Sequence, residues 1–514
     1  MDESFIPMPV PAAVAELVRQ IWEKALGAAP GPGADFFACG GDSLAALAVS
    51  TEVAQATRLV VPLDWLYAHP CLDDAVAALV SAPAAGRTPV SVQPRSGEHP
   101  LSFQQEGLLR VIGHVGGAHR YQGAYAVILP SSVDTGRLRD AVGALDSRHP
   151  MLSARIVQGH DGSAQVASGT GPVLQQTAVS AQLAAQAVDD WAADAISLDG
   201  PLVRMGLIGP ADERRLVLAA HQMVMDPWSW GLLLRDIAAL YADAGVGGGP
   251  RLAYTDYSRW QREHLVGPRF EEHLRFWRQL VAEYRAEGVP LPVMPQPLPA
   301  AGPAARLPVE VPGPVAEALR AVAKSVEASV FEVLLALFHL AVGRWAGVDD
   351  VLVGSATANR TLPGLEEVVG FFVNGRFTRS RLDEATSAFE LVEQVRAAWR
   401  SVDAHRELHL EKTLFDLGVP DAVNVKFSLN TIPTLTDLPY VEGVRLRAAP
   451  VAPVPSARRH VSVGLSPAGR GLAGALTYRT DLLQKNEASA LIEGFGQVLQ
   501  NAAADPAARI RLAD

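Results

Sequence analysis

The sequence predicts a small all-α module followed by a larger α/β unit. Apolar side chains recur at helical spacing over residues 11–27, which predicts an amphipathic helix in the first part. Farther along, apolar residues alternate with polar ones over 423–430, which indicates a half-buried strand. Long apolar helices are predicted over 330–345 and 389–402. Strands and helices of this kind in one stretch are typical of a mixed α/β unit.

The all-α module is assigned to residues 10–82. A loop rich in glycine and proline, residues 27–33, ends the first helix. A second helical stretch runs to Thr57, a short turn follows over 63–68, and a last helix begins at Leu72. The module is therefore predicted to be a small four-helix bundle.

A turn with two glycines leads into the second predicted helix. Residues 35–44 are DFFACGGDSL, and PLDWLYAHPCLDDAVAAL follows at 62–79. In this order the two stretches resemble a peptidyl carrier protein along the whole module. The resemblance implies that a phosphopantetheinyl transferase attaches a 4′-phosphopantetheine arm to the hydroxyl of Ser43. The position agrees with this role, because Asp42 is a good helix cap and the N–H groups of a helix N-terminus favour a phosphodiester.

The stretch between the two parts has the composition of a linker. Residues 81–100, SAPAAGRTPVSVQPRSGEHP, contain four prolines and no periodicity. We therefore predict a linker over residues 83–99 and a domain boundary there.

The α/β unit contains a polar loop at the end of an apolar run. Leu216 to Ala220 are predicted to form a buried strand and Trp228 to Tyr241 a helix, with the loop HQMVMDP over 221–227 between them. This loop resembles the His-His-x-x-x-Asp-Gly motif of nonribosomal peptide synthetase condensation domains, with glutamine and proline at two motif positions. Further stretches similar to motifs of that family occur in the family's order: LSFQQEGLL at 101–109, SRHPMLSAR at 147–155, YTDYSRWQ at 254–261 and GFFVN at 370–374.

The resemblance implies a fold and an activity for the α/β unit. The fold is two chloramphenicol-acetyltransferase-like halves, residues 100–265 and 266–514, arranged as a V with a tunnel between them. The carrier arm of the donor enters the tunnel from one side and the acceptor from the other. The implied reaction is the transfer of an acyl group from the carrier to an amine or a hydroxyl.

Gln222 stands where the family has its working histidine, four residues before the aspartate. An imidazole can take a proton from an attacking amine near neutral pH, whereas a carboxamide can only donate or accept hydrogen bonds. His221 matches the first histidine, which is mainly structural in the family. For His221 to act instead, a bulge would have to turn it to the other face of the strand.

Three further residues are assigned from the motifs. Asp226 matches the aspartate that braces the loop through an ion pair, and we predict Arg155 as its partner. Asn374 is the last residue of the GFFVN motif and is assigned to that motif or to the tunnel.

The sequence leaves three functions open for the α/β unit. The first is an acyltransferase that forms an amide or an ester. The second is a non-catalytic platform like the X domains, which recruit tailoring enzymes to a carrier-bound substrate. The third, an epimerisation domain, is the least favoured, because those domains keep the second histidine and lack the GFFVN match. Expected partners are trans-acting adenylation or upstream synthetase proteins and a small-molecule or carrier-bound acceptor.

Composition excludes other classes of function. The net charge of −11 argues against a nucleic-acid partner. The N-terminus lacks a signal peptide, and the longest apolar run, residues 330–342, is interrupted by Glu332 and His339, so we expect a cytoplasmic protein without a membrane contact. The two cysteines, Cys39 and Cys71, form neither a disulfide framework nor a metal-binding set.

Overall fold

The computed structural model describes residues 11–509 apart from short gaps. The gaps are 28, 32, 37–38, 40, 42, 58–60, 62–64, 82–89, 93–96, 116, 118–120, 159–163, 244–248, 287–301, 327, 363, 383–386, 420–422, 431, 433–434, 436–437, 453–455 and 458. The predicted cap Asp42 and most of the predicted linker therefore lie outside the described residues.

The first module consists, in its described residues, of four helices around one apolar core. They are α1 (Pro11–Leu26), α2 (Ser43–Thr57), α3 (Trp65–Ala68) and α4 (Leu72–Ser81). Trp22 and Phe36 are fully buried in this core, and their rings meet edge to face with 4.9 Å between centroids. A Cβ on Gly41 would lie 2.3 Å from the Phe36 ring, so the turn before Ser43 needs glycine. The predicted four-helix bundle is confirmed, and α2 begins at Ser43.

The α/β unit contains eleven further helices among the described residues. They are α5 (Phe103–Val115), α6 (Thr135–Arg148), α7 (Ala181–Ala193), α8 (Pro227–Tyr241), α9 (Tyr254–His264), α10 (Gly267–Ala286), α11 (Gly313–Ser325), α12 (Val330–Ala346), α13 (Ala388–Asp403), α14 (Leu410–Asp416) and α15 (Lys485–Ala504). The predicted helices over 228–241, 330–345 and 389–402 correspond to α8, α12 and α13. Helix α12 starts at a capping box formed by Ser329 and Glu332 and ends at Gly347, whose φ is 66°.

The strands form two large sheets and two small ones. They are β1 (His99–Pro100), β2 (Gln122–Ile128), β3 (Ala154–Gln158), β4 (Ala164–Ser168), β5 (Leu174–Thr177), β6 (Val203–Ile208), β7 (Arg215–His221), β8 (Gly302–Val311), β9 (Asp350–Thr357), β10 (Asn374–Arg381), β11 (Val425–Leu429), β12 (Tyr440–Val441), β13 (Val444–Arg445), β14 (Arg447–Ala449), β15 (Ser456–Ala457), β16 (Val461–Ala468) and β17 (Gly471–Arg479). The strand orders are β14-β2-β7-β6-β5, β10-β9-β11-β16-β17-β8-β15, β1-β4-β3 and β12-β13.

Each large sheet has its own apolar core. The five-stranded sheet packs against α6 and α8, and the buried face of α6 is the stripe of Leu138, Ala141, Val142 and Leu145. The seven-stranded sheet packs against α11, α12, α13 and α15 through a second core that includes Phe338, Phe427 and Phe495. Strand β11 pairs parallel with both β9 and β16, and the other strand pairs of this sheet are antiparallel, so the sheet is mixed.

The chain passes from the second half back to the first. Strand β14 pairs antiparallel with β2, with Ala449 opposite Ala126, and so completes the sheet of the first half. Leu365 and Phe372 also lie in the core of the first half. A single boundary at residue 266 therefore does not separate all the elements of the two halves.

No single helix in the described part of the chain is long and apolar enough to cross a membrane. The bent pair of α11 and α12 meets the length and composition criteria only when its two helices are taken together.

Candidate functional site

The motif loop connects β7 to α8 as predicted. Strand β7 ends at His221, and helix α8 begins at Pro227 with Asp226 as its N-cap. The backbone N–H of Gln222 donates to the carbonyl oxygen of Tyr121 (2.7 Å), which ties the loop to the segment just before β2. Pro227 occupies the first turn of the helix, where a backbone nitrogen has no hydrogen-bond partner within the helix. Proline in place of the motif glycine therefore fits this loop.

Asp226 is buried and forms an ion pair with Arg360. Arg360 Nη2 lies 2.9 Å from Asp226 Oδ1 and 3.1 Å from Oδ2, and both side chains are completely enclosed. Arg360 Nη1 donates to the carbonyl oxygens of Leu365 and Val368, each at 2.6 Å. Burial lowers the pKa of Arg360, and the charge of Asp226 opposes that shift. The pair therefore joins the motif loop to a segment that follows β9.

The carboxylate of Asp226 also accepts hydrogen bonds from two other residues. Oδ1 accepts from the backbone N–H of Ser229 (3.1 Å) and from its hydroxyl (2.8 Å). Oδ2 accepts from the backbone N–H of Phe372 (3.1 Å), within the GFFVN motif. The groups that donate to this carboxylate all lie in the interior of the domain. Asp226 therefore holds the motif loop in place through buried hydrogen bonds.

The prediction that Arg155 is the partner of Asp226 is wrong. Arg155 is exposed, and its Nε donates to the backbone carbonyl of Ser168 (3.1 Å) on the neighbouring strand β4. It lies in the small sheet formed by β1, β4 and β3, whereas Asp226 lies at the start of α8. Arg360, which was missed, is 134 residues from Asp226 along the chain, and no local pattern in the sequence indicates that pairing.

His221 is fully buried, and its ring supports the loop. Nδ1 accepts a hydrogen bond from the backbone N–H of Met223 at 3.1 Å. In the neutral ring the proton is therefore on Nε2. The lone pair on Nδ1 is already engaged, so it is not available to take a proton from a substrate.

Gln222 lines a cavity of about 130 Å³. Leu108 and Tyr121 of the first half and Phe371 and His409 of the second half also line it. Gln222 is half-buried, whereas His221 is fully buried. The position that faces this cavity is therefore the one that carries the working histidine in the family. That Gln222 takes part in the chemistry of the site stays a prediction.

Asn374 holds the chain segment that carries His409. Its amide nitrogen donates to the carbonyl oxygens of Arg406 and Leu408, both at 2.9 Å, and its oxygen accepts from the backbone N–H of Leu410 (3.0 Å). The side chain is fully buried and is not among the residues that line the cavity. Asn374 thus positions His409 and the start of α14.

His409 is a second imidazole at the cavity. It caps α14, with Nδ1 accepting from the backbone N–H of Lys412 at 3.4 Å, and burial lowers its pKa to about 4. The ring is neutral at neutral pH, and the proton is again on Nε2. The sequence HRELHL over 405–410 is only a weak match to a family motif, so His409 was not assigned to the site.

Ser43 occupies the position expected for a phosphopantetheine attachment site. It is the first residue of the 15-residue helix α2 and follows a turn that admits only glycine at Gly41. The unpaired N–H groups at such a helix end attract a phosphodiester. The local fold therefore fits the group that the carrier resemblance implies.

Two protein families match the chain. Residues 16–79 match the family described as Phosphopantetheine attachment site, and residues 95–514 match the Condensation domain family. The chain is 26% identical over 529 residues to enniatin synthase of Fusarium equiseti, covering 95% of this chain and 16% of that protein. It is 28% identical to N-(5-amino-5-carboxypentanoyl)-L-cysteinyl-D-valine synthase of Amycolatopsis lactamdurans, covering 93% of this chain and 13% of that protein. The chain thus spans a small part of the length of these relatives.

Solved structures share the fold of the α/β unit. The X-domain from teicoplanin biosynthesis has a TM-score of 0.73 at 21% identity and covers 82% of this chain and 98% of its own. The condensation domain from Monacolin K polyketide synthase MokA has a TM-score of 0.70 at 19% identity and covers 81% of this chain and 99% of its own. At these identities the likeness concerns the fold alone. With the match over residues 95–514, this chain belongs to the condensation-domain family of nonribosomal peptide synthetases and carries a phosphopantetheine carrier domain ahead of that domain.

Proposed function

We propose that this protein acts in nonribosomal peptide biosynthesis, transferring an acyl group held at Ser43 to an amine or hydroxyl acceptor in the cavity beside Gln222. The phosphopantetheine arm, when bound, supplies the thiol that holds the acyl group as a thioester. The observation that carries the proposal is that Gln222 faces a cavity lined by both halves of the domain. A loading protein in trans, or an upstream synthetase, would supply the acyl group.

Among the described residues, the site offers no imidazole that is arranged as a general base. His221 and His409 both accept a backbone hydrogen bond on Nδ1, so each presents a protonated Nε2 when neutral. Gln222 cannot be protonated near neutral pH, and its amide can only orient an acceptor or donate to an oxygen. The acceptor therefore has to reach the site as a neutral amine or lose its proton to solvent.

The loss of a base is compatible with catalysis. A positioned general base contributes about 10²–10⁴-fold, whereas holding two reactants in place contributes about 7–11 kcal/mol of the barrier. The larger contribution depends on the shape of the cavity, which Asp226, Arg360 and Asn374 maintain. Slow but specific acyl transfer is the expected activity.

The pH profile tests the missing base. With an α-amino acceptor, whose ordinary pKa is about 8, the logarithm of the transfer rate should rise with a slope of about one up to that pH. No inflection is expected near the ordinary pKa of imidazole, about 6.5. The measurement is acyl transfer at saturating carrier loading from about one pH unit below the imidazole pKa to about one unit above the amine pKa, after subtraction of hydrolysis.

A histidine variant provides the matched comparison for that profile. Gln222→His should add an inflection to the pH profile near the ordinary pKa of imidazole, about 6.5. At pH values above that inflection, the variant should transfer the acyl group faster than the unmodified protein. If the unmodified protein already shows this inflection, an unidentified imidazole is acting as base and the assignment is wrong.

Removing the Gln222 amide is expected to reduce transfer modestly. One hydrogen bond contributes about 0.5–1.5 kcal/mol, so Gln222→Ala should lower the rate about 2- to 10-fold. Gln222→Leu, which fills similar volume without the amide, should show the same loss in the same single-turnover assay. The contradicting result is an unchanged rate in Gln222→Ala together with complete loss in a folded His221→Ala protein, because His221 would then be the base.

A non-catalytic platform is the second candidate function. Glutamine at position 222 favours it, and so does the similarity to the teicoplanin X-domain, which has also been solved in a complex with OxyB. On this account the domain would present the carrier-bound substrate to a tailoring enzyme. Failure of the unmodified protein and of every Gln222 variant to transfer any loaded acyl group would support the platform and refute the acyltransferase.

A further inference from the structure

The second half of the domain lines the Gln222 cavity with three basic side chains. Arg376 is on β10, Lys426 is on β11, and Arg459 precedes β16. Ser355 lies directly opposite Arg376 in the pairing of β9 with β10, so both side chains are on the same face of the sheet. Together these residues form a basic wall of the cavity that Gln222 also lines.

Arg376 belongs to this wall, and some of its guanidinium nitrogens have no hydrogen-bond partner among the described residues. The residue is fully buried, and its Nη1 donates to the carbonyl oxygen of Gly375 (2.6 Å). Nε is 3.5 Å from Asp403 Oδ1, but neither Nε nor Nη2 has a hydrogen-bond partner among the described residues. Asp403 also pairs with Arg406 at 3.0 Å, so one carboxylate serves two guanidinium groups. Buried donors that lack partners are costly, so Nε and Nη2 of Arg376 can donate to a ligand of the cavity.

Lys426, which is half-buried, and Ser355 add two further hydrogen-bond donors to this wall. The ammonium group of Lys426 forms no ion pair or hydrogen bond with any described residue, although Glu411 is nearby at the cavity wall. Glu411 is already paired with Nη2 of Arg459 at 2.5 Å. Burial lowers the pKa of Lys426, and the charge of Arg459 lowers it further. The hydroxyl oxygen of Ser355 is buried without a hydrogen bond among the described residues.

We propose that Arg376, Lys426 and Ser355 bind a carboxylate of the acceptor and hold it in the cavity beside Gln222. This inference rests on the proposed acyl transfer and names the class of acceptor: an amine or alcohol that bears a carboxylate. The guanidinium, ammonium and hydroxyl donors suit the two oxygens of one carboxylate. The phosphate of the prosthetic arm has the same chemistry, but it is at the Ser43 end of the arm, whereas the thioester at the other end must reach Gln222.

The test uses loaded holo-protein and pairs of small acceptors that differ only in the carboxylate. The pairs are glycine with glycinamide, β-alanine with β-alaninamide, and 4-aminobutyrate with 4-aminobutanamide. Binding is measured as the rise in melting temperature of the condensation domain, since a ligand that binds only the folded state stabilises it. Transfer is measured separately, as kcat/KM for each acceptor.

The variants are Arg376→Met and Lys426→Met, with Arg379→Met as the matched control. Arg379 is on the same strand as Arg376, but it pairs with Asp350 and does not line the cavity. Each cavity variant should lower kcat/KM for the acid about 10- to 100-fold more than kcat/KM for the matching amide, because a hydrogen bond to a charged group is lost only with the acid. Arg376→Met should melt no lower than the unmodified protein, because it removes a buried guanidinium whose Nε and Nη2 have no hydrogen-bond partner among the described residues, and Asp403 keeps its ion pair with Arg406.

The outcomes separate this inference from the proposed function. If no acceptor is acylated but acids still stabilise the protein more than amides, and Arg376→Met removes that preference, the carboxylate site stands and the acyltransferase proposal fails. If acids and amides bind and react equally across all pairs, or the variants keep the preference, the inference is overturned. A stabilisation by inorganic phosphate or 4′-phosphopantetheine that depends on Arg376 and is not seen with pantetheine or the amino acids would also overturn it, because the cavity would then bind the arm.

Discussion

Asp226→Ala is expected to lower the free energy of unfolding of the condensation domain by about 3–5 kcal/mol, because it leaves the buried charge of Arg360 without its partner. The substitution also removes the acceptor for the N–H groups of Ser229 and Phe372. Chemical denaturation followed by tryptophan fluorescence measures the change. Arg155→Ala is the matched control, and it should change stability by no more than about 0.5 kcal/mol because Arg155 is exposed.

A double-mutant cycle identifies the ion pair as the cause. Asp226→Asn alone leaves the charge of Arg360 unpaired, and Arg360→Met alone leaves the carboxylate of Asp226 unpaired, whereas the two substitutions combined leave no buried charge in this place. The double variant should therefore lose less stability than the sum of the two single variants. An unchanged melting temperature in Asp226→Ala, together with a specific loss of acyl transfer, would contradict the structural role. Asp226 would then take part directly in the reaction.

Ser43→Ala is expected to abolish attachment of the prosthetic group. Ser43 is the first residue of α2, and its hydroxyl is the predicted attachment point. Intact-protein mass measurement after incubation with a phosphopantetheinyl transferase and coenzyme A should show complete loading of the unmodified protein and none of the variant. Acyl transfer in the cavity should disappear with it.

A second serine of the same helix provides the control for that result. The hydroxyl of Ser50 is buried and donates to the carbonyl oxygen of Ala46 (2.9 Å), so Ser50→Ala removes a hydroxyl from α2 without touching its first turn. Ser50→Ala should still be loaded. Retention of the added mass by Ser43→Ala would refute the assignment of Ser43.

The sequence is informative about elements whose pattern is local. The strand before His221, the helix after Asp226 and the capped helix α12 all follow from hydrophobic periodicity and capping residues close to each other in the chain. These predictions needed only short-range information.

The partners across the domain could not be predicted in the same way. Arg360 meets Asp226 because the segment after β9 folds back onto the first half, and β14 joins the sheet of the first half for a similar reason. Arg155 was chosen because it belongs to a motif, but motif membership does not establish contact. Arg376 and Lys426 meet in one cavity only because β10 and β11 both flank β9.

Single-turnover mass spectrometry of the acyl group on Ser43 tests the central claim most directly. The unmodified protein is loaded with an acyl group, mixed with glycine, β-alanine or 4-aminobutyrate, and followed by intact mass and product analysis. We expect the acyl mass to leave faster with at least one of these acceptors than by hydrolysis alone, and the matching amide to form. Equal loss of the acyl mass with and without every acceptor, in protein that is folded and fully loaded, would contradict acyl transfer at the Gln222 site.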